Sequence, residues 1–139
     1  MTEAVYQLIN RPRRVKAQIR MKLTQIDDLR LMMLPSGIAY DKDAVQTSPS
    51  DPMLRYAEKL TELETEVSQL KDQYLTELNT LSLALDKLDN ANEAEVLSLR
   101  YISEVSFSDI AMSAHASEST VYRWHRKGLE KLNVIVNDS

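Results

Sequence analysis

Residues 94–132, AEVLSLRYISEVSFSDIAMSAHASESTVYRWHRKGLEKL, decide how this chain is read. Two serines punctuate the stretch. Ser106, with Asp109 three places on, is an Ncap–N3 pair and predicts a short helix from Phe107 to about Met112. Ser117, followed by Glu118, predicts a second helix running to about Leu132. Either hydroxyl can accept from a backbone N–H that a helix start leaves without a partner. The residues between, Ser113 to Ala116, leave room only for a tight turn. A helix of about seven residues, a turn of about four and a longer second helix make the helix-turn-helix layout.

The apolar positions agree with that division. Val96, Leu97, Leu99 and Ile102 give a preceding helix one buried face, and Phe107, Ile110 and Ala111 face inward on the next. On the last helix Val121, Trp124, Leu129 and Leu132 fall near one stripe. Glu118, Ser119, Tyr122, Arg123, Arg126 and Lys127 are left pointing outward, at the end of the helix that meets base edges in such a motif.

The string resembles region 4 of the sigma-70 family of RNA polymerase initiation factors. The residues that carry the likeness are L-x-L-R-Y (Leu97 to Tyr101), S-x-x-D-I-A (Ser106 to Ala111), S-x-S-T-V-Y-R (Ser117 to Arg123) and L-x-K-L (Leu129 to Leu132). The resemblance implies duplex DNA as the ligand, with RNA polymerase a further candidate partner. The wider chain, with V-Q-T-S-P-S-D-P (Val45 to Pro52) ahead of a long helix, is similar to small prophage-encoded late transcription regulators of the RinA and ArpU type in Gram-positive bacteria. That likeness implies activation of a late operon.

Composition narrows the alternatives. Aromatic content of 6%, two glycines and four prolines among 139 residues favour helices over a turn-rich β fold. There is no cysteine, hence no disulfide and no thiolate metal site, which fits the cytoplasm. No apolar run approaches the roughly 18 residues of a membrane span. In MTEAVYQLINRPRR the charges follow the apolar residues, the reverse of a secretory signal.

A net charge of −4 is unexpected for a DNA binder, but it is unevenly spread. Residues 1–36 hold seven Lys/Arg and three Asp/Glu, residues 41–95 five and thirteen, and residues 96–139 five of each. Over 117–132, Arg123, Arg126, Lys127 and Lys131 stand against Glu118 and Glu130. Screening makes this local balance decisive for phosphate contact. The small excess predicts weak non-specific binding by a single copy.

Ahead of the motif, Thr2 to Ile9 reads as a short helix or frayed arm, and Pro12 suits the start of a helix running to Leu34. Val15, Ile19, Leu23, Ile26 and Met33 share one stripe of it. Residues 35–52 read as a loop, longer than packed loops usually are. A long helix is expected over Met53 to Leu88, where Met53, Leu60, Val67, Tyr74, Leu81 and Leu88 recur every seven residues. Leu63 and Leu70 begin a second seam that drifts, Glu77 and Ala84 giving way to Leu78 and Leu85. This predicts coiled-coil or helical-hairpin packing, with homodimerisation or a higher oligomer through 53–88. Asp89 to Asn92 interrupts the pattern.

Arg123 is the first candidate for reading a base, since arginine grips guanine bidentately in the major groove. Glu118 could accept from cytosine, or complement the helix N-terminus. Tyr122 could touch a thymine methyl or a phosphate, or be a half-buried packing ring, and Ser119 shares the face. Arg100, Thr120, Arg126 and Lys127 suit phosphate contacts, which position without specifying. Trp124 could stack on single strands, but its stripe places it in the core. Gly128, unfavourable inside a helix, would be explained by close packing on a neighbour. His115 and His125 form neither a nucleophile–base arrangement nor a ligand set, so no catalytic residue, metal or cofactor is expected. The basic run Arg11, Arg13, Arg14, Lys16, Arg20 and Lys22 has three readings: tracking DNA, pairing with the acidic helix, or a solvated face.

The resulting expectation is an all-α protein. Residues 1–89 form a helical hairpin or coiled coil for oligomerisation, with the loop at 35–52, and residues 90–139 a sigma region 4-like helix-turn-helix. Its partners would be duplex DNA, a second copy and RNA polymerase, with no membrane and no small-molecule substrate. The rival is an interaction module that docks on polymerase or another regulator without reading DNA.

Overall fold

A computed structural model describes residues 1–35 and 51–138. Among them are α1 (Glu3–Met33), α2 (Pro52–Asp86), α3 (Ala91–Tyr101), α4 (Phe107–Ala114) and α5 (Glu118–Asn137), and no strand. The fold is all-α, with helices preceding a C-terminal helix-turn-helix. Most of the loop expected over 35–52 lies outside the described residues. No described helix is long and apolar enough to cross a membrane.

The N-terminal arm and the helix expected to open at Pro12 are one helix. Pro12 lies inside α1, where it has no N–H to donate to the Leu8 carbonyl, normally a severe cost. Its ring is fully buried on the same stripe as Val5 and Ile9, and that burial offsets the lost bond.

Packing groups the chain into two compact units. One compact unit is Met1–Val15 with Gln73–Ser139, and the other is Lys16–Asp72. α1 and α2 each give residues to both. In the second unit Ile26, Leu63 and Val67 form the core, flanked by Ile19, Leu29 and Leu60. The heptad positions Leu60 and Val67 therefore pack against α1 of the same chain, as in a helical hairpin. Leu23, expected on the stripe, is 41% exposed. Lys22 pairs with Glu66 at 2.9 Å and Arg30 with Glu64 at 3.3 Å, the order expected of helices running in opposite directions. Of the three readings of the basic run, pairing with the acidic helix thus holds for Lys22.

The first unit has two cores, and α3 divides them. Val5, Ile9, Leu81, Leu85, Leu97, Tyr101 and Leu132 make one, and Val96, Ile110, Ala111 and Val121 the other. Val96 and Leu97 are consecutive, so about 100° of helical rotation sends one to each side. The drifting seam of α2 ends here at Leu81 and Leu85, an i,i+4 pair on one face. α5 is likewise shared, with Val121 in the smaller core and Leu132 in the larger. The helix is thereby held near both ends.

Candidate nucleic-acid interface

Capping sets the two ends of the turn. Ser106 Oγ accepts from Asp109 N at 3.1 Å, and Ser117 Oγ from Thr120 N at 3.2 Å, as the sequence predicts. Ser117 Oγ also donates to Thr120 Oγ1 at 2.9 Å and lies 3.2 Å from Ser119 Oγ. Two boundaries differ from expectation. α4 continues to Ala114 because His115, in the left-handed region at φ 53, closes it by donating its N–H to the last carbonyls. α5 runs past Leu132 to Asn137, and Leu129 and Val136 lie partly buried against the larger core.

The outward face of α5 is where the sequence puts it. Glu118, Ser119, Tyr122, Arg123, Arg126 and Lys127 are all exposed, while Thr120 is half-buried beside the cap. Trp124 lies partly buried against the smaller core, beside Val96, Leu99 and Ile110, which fits packing and not a stacking platform. Tyr122 is half-exposed, and its ring lies 4.6 Å from that of Phe107. Arg100 is half-buried; it donates to the Val105 carbonyl at 3.3 Å and its guanidinium lies 4.8 Å from the Phe107 ring. It therefore braces the α3–α4 turn, whatever else it meets.

Phe107 joins these groups. Besides Tyr122 and Arg100 it meets His125 edge-on at 5.0 Å. His125 Nε2 is 2.7 Å from the Tyr101 hydroxyl, with the two rings stacked at 5.7 Å. Burial, helped by the Arg100 charge, holds His125 below its usual 6.5, and burial pushes the Tyr101 hydroxyl up. Nε2 and the phenol hydroxyl share this hydrogen bond, and the imidazole tautomer decides which of them donates. Sequence reasoning missed this pair, since the two residues lie on different helices and neither forms a motif.

Glu93 was missed as well. It is 3% exposed on α3, with Oε1 2.7 Å from Lys131 Nζ, and Lys131 also donates to Asp89 at 2.9 Å. The contact with Glu93 is an ion pair to a buried carboxylate. The two carboxylates hold the Lys131 ammonium above its ordinary value. Lys131 therefore does not add to the field of the outward face of α5 as the sequence suggests, because its charge is met by Asp89, in the turn after α2, and by Glu93 of α3. A signal did exist: Glu93 stands four residues before Leu97, on the buried stripe, and a charge there calls for a partner.

Residues 84–133 match the sequence model of the family described as Sigma-70, region 4. The match spans the end of α2 and all of α3 and α4, and it stops within α5. No curated protein and no solved structure matches the chain. Over these residues the chain is thus similar to sigma-70 region 4, in keeping with the helix-turn-helix that α4 and α5 form.

Proposed function

We propose that the protein is a transcription regulator that reads specific duplex DNA with the exposed N-terminal half of α5. The observation that carries this is the fixing of α5 at both ends, by Val121 and Leu132, which leaves a polar face of Glu118, Ser119, Tyr122, Arg123, Arg126 and Lys127 outward. A rigid helix presenting such a face suits entry into the major groove. Arg123, Glu118, Ser119 and Tyr122 read base edges, and Arg126, Lys127, Thr120 and Arg100 hold phosphates. The match over 84–133 supports both DNA and RNA polymerase as partners.

The reading includes a homodimer through 53–88. Leu54, Leu75 and Leu83 leave apolar surface exposed on α2, and two copies would offset the weak charge of one reading helix. Half-sites would then lie one helical turn, or a multiple of it, apart. Activation of a late phage operon is the role the wider resemblance favours, in the cytoplasm.

Selection of duplexes from a random pool at low salt, with polymerase capture run alongside, tests the reading. Enrichment of a shared sequence supports it. Polymerase capture with no enriched sequence would leave the interaction module in its place.

A further inference from the structure

The surface described so far lies within α3–α5, yet Arg13 of α1 belongs to the same compact unit. Its guanidinium carbon stands 5.7 Å from the centroid of the Tyr101 ring, and its Nε is 4.0 Å from Glu104 Oε1. That distance is the outer limit of an ion pair. The two side chains are 34% and 32% exposed, so the pair is loose and reached by water. Arg100 flanks the same turn, over Phe107 and against the Val105 carbonyl. Two guanidinium groups from different helices thus converge just ahead of Ser106, which caps α4.

Ring contacts tie this turn to the reading face. Tyr101 meets His125, His125 meets Phe107, and Phe107 meets Tyr122, with no step longer than 5.7 Å between centroids. A helix seated in a major groove about 12 Å wide has rows of phosphates along both rims. A basic group that lies beside such a helix can reach one of those rows.

We propose that Arg13, together with Arg100, binds a backbone phosphate at the rim of the groove that α5 reads, so that α1 is part of the DNA-binding surface. This rests on the DNA-reading function proposed above. The guanidinium exchanges a loose carboxylate partner, Glu104, for a phosphate that its planar fork of donors matches well.

The full chain bound to its enriched duplex, titrated across a range of KCl concentrations, provides the test. For Arg13→Gln the slope of log K against log salt should fall by about 0.9, one phosphate's worth, with weaker binding to all sequences alike and an unchanged base preference. Arg13→Lys should keep the slope, and Glu104→Gln should tighten binding by removing the competing carboxylate. A wild-type slope and affinity in Arg13→Gln would overturn the proposal while leaving base reading intact. Should Arg13→Gln unfold, the other two variants decide: a lowered slope in Arg13→Lys, or unchanged affinity in Glu104→Gln, would overturn it. A wild-type chain that binds no duplex would remove both readings.

Discussion

A Cβ added at Gly128 of α5 would stand 2.8 Å from Leu97 Cδ1 and 3.3 Å from Leu97 Cγ. Leu97 is fully buried on α3, which leaves its side chain little room to move aside. This contact sets how closely α5 lies on α3. Gly128→Ala gains about 1 kcal/mol of helix propensity, while overpacking a filled core costs about 1–3 kcal/mol. The net expected is a loss of up to about 2 kcal/mol, read by thermal or urea unfolding. Gly128→Val, bulkier and a poorer helix former, should lose more.

Lys131→Met should lower the thermal midpoint by more than an exposed lysine would suggest, because it strands the buried Glu93 carboxylate. Adding Glu93→Leu to that variant should restore part of the loss. The measurement is a double-mutant cycle on unfolding. Additive losses would mean that the two groups do not act as a pair.

Acid should destabilise the chain in two separable windows. His125 is held below its usual 6.5 in the folded state, so folded protein binds fewer protons than unfolded protein. Its contribution is therefore present above 6.5 and is lost as pH falls through the folded value. Glu66 and Asp89 are also held down, each chiefly by its bond to a lysine (Lys22 and Lys131), and theirs is lost only further into acid. Midpoints measured against pH should show both falls in the wild type, and His125→Gln should lack the first.

What the sequence showed and what it hid follow from the range of each interaction. Ser106 and Ser117 cap through bonds to residues three places on, so local pattern reveals them. The stripe of α5 is equally local, and its outward residues are exposed as read. Gly128 could be suspected of close packing, although only the fold names Leu97 as the neighbour. Lys131 reads as a free cation until a carboxylate from another helix comes within 2.7 Å. The pairing of Tyr101 with His125 spans 24 positions and leaves no periodic trace. Pro12 misled for a different reason: local rules penalise it inside a helix, and only burial in the larger unit compensates.

The central claim is that α5 reads bases through Arg123, and binding of Arg123→Ala to matched and scrambled duplexes at one salt concentration tests it most directly. The account predicts a loss of about 1–3 kcal/mol on the matched duplex, little change on the scrambled one, and relaxed preference at one base position. Equal loss on both duplexes, or an unchanged preference with the fold intact, would contradict it.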